Sequence, residues 1–91
     1  MKFFSYISVR DEKYGRITFV VKEVTYTAFY FEPVQNMTSL CNYYLPPFTL
    51  ERSDTEWNYI NLGKVNWLSE KMFKNLIVEL EGKLFSKINN N

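Results

Sequence analysis

The last part of the chain constrains the fold most, because it is the only long segment with an unambiguous helical period. The apolar residues that recur there at intervals of three and four are Phe73, Leu76, Ile77, Leu80, Leu84 and Ile88. This spacing places them on one stripe of an α-helix. Ser69 is suited to cap the helix at its start, and Glu70 follows it where the helix dipole favours a carboxylate. The sequence therefore predicts one long C-terminal helix with a single apolar stripe.

A second, smaller apolar spot lies off this stripe, around a glycine in the middle of the helix. Gly82 costs the helix about 1 kcal/mol relative to Ala, and Val78 and Phe85 lie near it on the helical wheel. Either a curled sheet or loop covers this spot, or the missing side chain permits close approach of a second molecule. Val78, Gly82 and Phe85 are therefore candidates for a homo-oligomer contact.

The segments that precede the helix have the alternation and the β-branched and aromatic content of strands. Residues 2–9 alternate, and Gly15 is suited to the positive φ of the hairpin turn that follows them. Residues 16–31 are too long for one ordinary strand. We predict two strands there, residues 16–22 and 24–31, although residues 22–23 have poor chemistry for a tight turn.

The middle of the chain is predicted to hold a short helix and one more strand. Residues 36–45 fit a short helix that Pro46 and Pro47 must end. Residues 48–50 begin an extended segment, residues 51–56 are predicted to be a charged loop, and residues 57–65 to be the last strand.

This order of elements predicts an α+β fold, in which the C-terminal helix packs on one face of an antiparallel sheet of four to five strands. We expect one domain over residues 1–88 and a disordered Asn tail at residues 89–91. A lone helix covers only one face of a sheet, so the other face is wet, self-associated or bound to a partner.

The composition excludes several functional classes. The chain has 91 residues, a net charge of +1, one cysteine and no histidine. Without histidine the common catalytic triads cannot be assembled, and zinc sites lack their usual ligands. Cys41 is expected to be a small buried hydrophobe. We therefore expect no catalysis, no metal and no cofactor.

The localisation expected from the sequence is cytoplasmic. A single cysteine cannot form a disulfide within the chain, which favours a reducing compartment. No run approaches the ~18 apolar residues that a membrane span requires. Lys2 and Ser5 interrupt the apolar stretch that a signal peptide would need.

The candidate binding residues are aromatic, since 19% of the chain is Phe, Tyr or Trp. Alternation pairs Phe4 with Tyr6 on a strand face, and likewise Tyr26 with Tyr30 and Trp57 with Tyr59. If these faces coincide opposite the helix, they form a platform that can anchor a protein interface or stack nucleobases. The residues predicted for this platform are Tyr6, Tyr26, Tyr30, Trp57 and Tyr59, each of which has a core position as its alternative.

A small basic hairpin tip is the second candidate site. Arg10, Lys13 and Arg16 surround Tyr14 there. Such a tip is either an ordinary solvated turn or a contact for phosphate or for an acidic surface.

The function we expect from these features is that of a small binding or inhibitor protein that occupies the surface of a macromolecular partner. This profile is typical of counter-defence proteins of phages and mobile elements, such as anti-CRISPR proteins, which act inside an infected host cell. The usage of Asn, Lys, Ile, Tyr and Phe suits an AT-rich genome. The alternatives are a single-stranded nucleic-acid or nucleotide binder, and a homo-oligomeric structural protein.

Overall fold

The protein forms one antiparallel sheet and a C-terminal helix in a computed structural model that describes residues 1–34, 45–60 and 67–89, with side chains up to residue 86. The five strands lie in the order β1-β2-β3-β4-β5. The elements are β1 (Lys2–Asp11), β2 (Gly15–Thr25), β3 (Ala28–Pro33), β4 (Phe48–Ser53), β5 (Glu56–Tyr59) and α1 (Glu70–Asn89). The predicted α+β fold is confirmed.

The turn between β1 and β2 forms as its residues predict. The carboxylate atom Oδ2 of Asp11 accepts hydrogen bonds from the backbone N–H groups of Lys13, at 2.8 Å, and Tyr14, at 3.0 Å. Gly15 then adopts a φ of 77°, in the region that only glycine enters at little cost. The positive φ predicted for Gly15 is therefore confirmed.

The boundary between β2 and β3 differs from the prediction. The strand does not break at residues 22–23, because β2 continues through an irregularity between Glu23 and Thr25. The chain turns at Tyr26 and Thr27 instead, where the backbone N–H of Thr27 donates to Oγ1 of Thr25 at 3.3 Å. A threonine hydroxyl that bonds the backbone two residues later stabilises a turn. The prediction of two strands is correct, but the predicted bounds are wrong.

The loop before β5 is also shorter than the charged loop predicted for residues 51–56. β4 extends to Ser53, and Ser53 pairs with Glu56 across a two-residue turn. Asp54 makes this turn with a φ of 58°, a conformation that Asp tolerates better than most residues. β5 begins at Glu56 and ends at Tyr59. Residues 61–65 of the predicted strand lie outside the described residues, as does the predicted short helix except for its last residue, Leu45, which is buried and not helical.

The core between the sheet and α1 contains a cluster of phenylalanine rings. Phe31 stacks on Phe48 with ring centroids 5.2 Å apart, and Phe19 meets both rings edge-on at 5.8 Å. Trp67 closes this cluster from the segment before α1: its ring stacks on Phe19, and its Nε1 donates to the carbonyl of Pro46 at 3.2 Å. Aromatic pairs of this kind contribute about 0.5–1.5 kcal/mol beyond their buried area.

α1 begins as predicted and buries a slightly different stripe. The backbone N–H of Met72 donates to Oγ of Ser69 at 3.2 Å, which confirms the predicted N-cap. The deepest side chains are Met72, Leu76 and Leu80, spaced by four. The flanking residues Phe73, Ile77 and Leu84 are half-buried. Met72 was not among the predicted stripe residues, and the side chain of Ile88 lies outside the described part.

Both edges of the sheet contact α1. At the β1–β2 turn, Glu12 lies 3.7 Å from Nζ of Lys71. At β5, Nε1 of Trp57 donates to Glu81 at 3.3 Å, and the ring of Tyr59 lies 5.3 Å from that of Phe73. The helix therefore lies along one face of a sheet whose two edges both contact it.

Replacing Leu76 with Ala is expected to lower the free energy of unfolding by about 2–5 kcal/mol, because a fully buried side chain leaves a cavity. Val78→Ala is the matched control on the same helix. Its side chain is 67% exposed, so the change should stay within about 0.5 kcal/mol. Urea unfolding measures both, and equal losses would contradict the orientation of α1.

Two glycine substitutions should have opposite signs. Gly82→Ala is expected to raise the free energy of unfolding by about 0.5–1 kcal/mol, because Ala is the better helix former and nothing lies within 4 Å of the added Cβ. Gly15→Ala should lower it by about 1 kcal/mol or more, since an L side chain is strained at this positive φ. Thermal and urea unfolding of the pair provide the measurement, and stabilisation by Gly15→Ala would contradict the turn geometry.

Candidate functional site

The face of the sheet opposite α1 carries the candidate site, and a bulge in β1 determines its composition. Register shifts between Phe3 and Ser5, so that Phe4 turns into the core and contacts Phe29 with ring centroids 5.1 Å apart. Phe3 consequently joins Tyr6 on the opposite face, where the two rings meet edge-on at 5.3 Å. Simple alternation paired Phe4 with Tyr6, which is wrong because one extra residue in a strand inverts the facing of those before it.

The pairing of the strands places these two rings in two neighbouring rows across the sheet. Phe3 lies opposite Lys22, which lies opposite Tyr30. In the next row Tyr6 lies opposite Val20, which pairs with Glu32. A shallow groove continues the apolar surface, and its lining includes Met1, Val24, Tyr30, Thr49 and Ile60. We use the name open-face patch for Met1, Phe3, Tyr6, Val24 and Tyr30.

Exposure marks this patch as unusual. Seven large hydrophobic side chains are exposed in the described part of the chain, and four of them belong to the open-face patch: Met1, Phe3, Tyr6 and Val24. A fifth, Tyr26, is 87% exposed at the β2–β3 turn, at the same end of the sheet. Contiguous exposed apolar surface is typical of interaction sites in proteins of this size.

Of the five aromatic residues predicted for the platform, three lie on or beside this face. Tyr6 and Tyr30 belong to the patch, and Tyr26 lies at the turn beside it. Tyr30 is half-buried, and its hydroxyl donates to Glu32 at 3.5 Å.

The other two predicted aromatic residues, Trp57 and Tyr59, lie on the opposite face, against α1. Trp57 is only 7% exposed, and Tyr59 packs between Phe48 and Phe73. Their alternation within β5 was read correctly. The predicted side of the sheet is wrong, because both rings face α1: Trp57 donates to Glu81 and Tyr59 packs on Phe73.

Burial changes the chemistry of Tyr59. Desolvation raises the pKa of its phenol from 10.0 to about 12, because the charged phenolate is disfavoured away from water. The cause is the packing of the ring between Phe48 and Phe73.

The predicted hairpin tip divides into two exposed arginines and a buried tyrosine. Arg10 pairs directly with Arg16 across β1 and β2, and both are exposed. Tyr14 is only 8% exposed and meets Trp67 edge-on at 6.2 Å, while Nζ of Lys13 lies 5.2 Å above the Tyr14 ring. The placement of Tyr14 in an exposed contact is wrong, since its ring packs into the core.

The candidate oligomer contact on α1 is exposed. Val78 and Phe85 are 67% and 69% exposed, and nothing lies within 4 Å of a Cβ built on Gly82. None of the described residues therefore covers this spot, contrary to the alternative in which a loop or the sheet does. An apolar groove adjoins Val78, and its lining includes Trp57, Phe73 and Ile77.

Sequence reasoning missed Met1, Phe3 and Val24 as members of the patch. The bulge at Phe4 accounts for the exposure of Phe3 and the irregularity between Glu23 and Thr25 for that of Val24, and neither is marked by a glycine or proline. The only available signal was the surplus of apolar residues near the start of the chain.

Within residues 1–34, 45–60 and 67–89 no group of three or more metal-ligating side chains comes together, and no helix there is long and apolar enough to cross a membrane. Comparison of the chain with protein-family models, curated proteins and solved structures finds no match.

The Tyr59 shift has a consequence for stability at high pH. Burial raises the pKa of the Tyr59 phenol from 10.0 to about 12 in the folded chain. The stabilisation that the buried neutral phenol gives the folded chain is therefore fully present below pH 10 and is lost as the pH rises from 10 towards 12. Tyr59→Phe should therefore lose less stability than the wild type across this window. Urea unfolding at several pH values between 9 and 12 tests this, and a constant difference between the two proteins would contradict the burial of the phenol.

Proposed function

We propose that this chain is a small, non-catalytic binding protein that occupies the surface of a partner protein through the open-face patch. The observation that carries the proposal is the gathering of exposed apolar side chains at one end of a sheet face, with α1, the one described helix, on the other side. Tyr and other aromatic residues supply much of the binding energy in protein interfaces.

The size of the face supports a protein partner. β1 and β2 are 10 and 11 residues long, and five strands spaced by about 4.8 Å span roughly 20 Å. The face therefore offers roughly 600 Å², close to the ~800 Å² that each partner contributes to a standard interface.

A single-stranded nucleic-acid binder is the second candidate, because Tyr6, Tyr30 and the exposed arginines share the described face. Two facts count against it: Trp57 and Tyr59 are removed from the platform, and Glu32 and Glu51 stand on it by strand alternation. Salt-dependent binding to an oligonucleotide tests this candidate, whose affinity should be highest at low salt.

A homo-oligomer formed through Val78, Gly82 and Phe85 is the third candidate, supported by their exposure on α1. Sedimentation at high concentration tests it. A strict monomer excludes it, and an oligomer that Phe85→Ser dissociates supports it.

The biological setting we propose is the cytoplasm of a host cell, with the chain acting as an inhibitor carried by a phage or mobile element, in the manner of an anti-CRISPR protein. Small size and an amino-acid usage suited to an AT-rich genome support this setting, and a single cysteine suits a reducing compartment.

Capture of a partner tests the leading proposal. The immobilised chain should retain a stoichiometric protein from a host-cell lysate, and Tyr6→Ser should reduce that capture about tenfold or more, as for an interface hot spot. Phe85→Ser is the matched control, because Phe85 is a similarly exposed ring on α1.

Recovery of no stoichiometric protein would count heavily against the proposal. Loss of capture with Phe85→Ser and not with Tyr6→Ser would place the contact on α1 instead. Circular dichroism of each variant establishes that the fold is retained.

A further inference from the structure

The open face is polarised along its strands. The open-face patch occupies the end near Lys2 and the β2–β3 turn, and Arg10 and Arg16 occupy the other end. Between them lies a polar row, in which the hydroxyls of Ser8 and Thr18 are hydrogen-bonded to each other at 2.8 Å. An apolar end and a cationic end are thus parts of one surface.

Arg10 and Arg16 have no ion-pair partner among the described residues. All ten Asp and Glu residues lie in the described part of the chain, and none has a carboxylate within 4.0 Å of Arg10 or Arg16. The nearest acids in sequence are engaged elsewhere: Asp11 accepts from two backbone N–H groups, and Glu12 pairs with Lys71. Like charges placed directly opposite each other destabilise a strand pair, so an external anion would relieve this repulsion.

The charges on the rest of the face favour a carboxylate over a nucleic-acid backbone. Glu32 lies in the row that separates the arginine end from Tyr30, so a strand stacked on the tyrosines would pass a carboxylate before reaching Arg16. The net charge of the chain is only +1, whereas nucleic-acid binding depends on many simultaneous phosphate contacts. An acidic patch on a protein can place a few carboxylates directly at the arginine end. It need not pass Glu32, and it does not depend on many simultaneous charge contacts.

We infer that Arg10 and Arg16 form an anchor for an acidic patch on the partner protein whose apolar surface meets the open-face patch. This inference rests on the proposed function and specifies the partner's chemistry. Arginine suits the task because its planar guanidinium holds a carboxylate through two parallel hydrogen bonds. Along β2, Arg16 lies four positions from Val20 in the Tyr6 row and six positions from Lys22 in the Phe3 row, which is roughly 13 and 20 Å. The partner should therefore carry carboxylates roughly 13–20 Å from its apolar surface.

The probe that tests the anchor is a hexaglutamate peptide, titrated at low salt into the ¹⁵N-labelled full chain. The side-chain N–H signals of Arg10 and Arg16 and their neighbouring amides should shift in a saturable way. R10S/R16S should weaken binding about tenfold, the loss expected for charge-assisted hydrogen bonds. Arg52→Ser is the matched control, because Arg52 is the one other arginine, exposed near the β4–β5 turn, and its loss should change binding less than twofold.

The remaining variants separate charge from geometry and protein from nucleic acid. R10K/R16K keeps both charges without the planar fork, so it should bind more weakly than the wild type and more tightly than R10S/R16S. Absence of saturable shifts, or an equal loss with Arg52→Ser, overturns the inference. An oligothymidine of equal charge that binds tenfold more tightly than the peptide also overturns it, in favour of nucleic acid.

The same variants separate this inference from the function on which it rests. If R10S/R16S still captures a partner in a manner that depends on Tyr6, the acidic anchor is refuted and the binding function stands. If no variant and no wild-type chain captures a partner, the proposed function fails while the peptide titration still reports on the arginine pair.

Discussion

One helix must cover one face of a five-stranded sheet, and the rest of the structure follows from this limit. Three aliphatic side chains spaced by four, Met72, Leu76 and Leu80, form the deepest row of α1. Beneath them, large rings fill the width of the sheet, since the fully buried side chains of the central strands include Phe19, Phe31 and Phe48. A chain of 91 residues buries a modest share of its surface, and bulky aromatic residues compensate because each removes a large area from water.

The same limit leaves the opposite face of the sheet to water or to a partner. An ordinary solvated face would alternate polar residues against the buried ones, as the row of Ser8 and Thr18 does. The end of the face near Phe3 departs from that pattern, because the bulge at Phe4 sends one Phe into the core and exposes the other. A single irregularity in an edge strand thereby serves both packing and surface: it fills the core beside Phe29 and creates the aromatic pair of Phe3 and Tyr6.

The two exposed apolar regions differ in what surrounds them. The open-face patch continues into a polar row and then into two arginines that have no ion-pair partner in the described part of the chain. Hydrophobic and electrostatic contributions can therefore act on one binding partner. The spot around Gly82 is a short exposed stripe on a helix whose other side is packed. Apolar contact area provides most of the binding free energy in protein interfaces, whereas charge complementarity mainly provides orientation and association rate. A surface that offers both is therefore the better candidate for specific recognition.

The sequence by itself determined the class of fold, the helix and its cap, the glycine turn and the approximate number of strands. These features depend on residues close together in the chain: a 3.6-residue period, a serine hydroxyl within reach of the first helical turn, and a glycine where φ is positive. It also indicated an aromatic surface, and three of the five tyrosine and tryptophan residues chosen for it lie on or beside that surface. Only the tertiary structure decided which side each ring occupies. Trp57, Tyr59 and Tyr14 turned out to pack into the core, and Phe3 to leave it, because the position of α1 and a one-residue bulge are set by packing between segments distant in sequence, where local alternation carries no information.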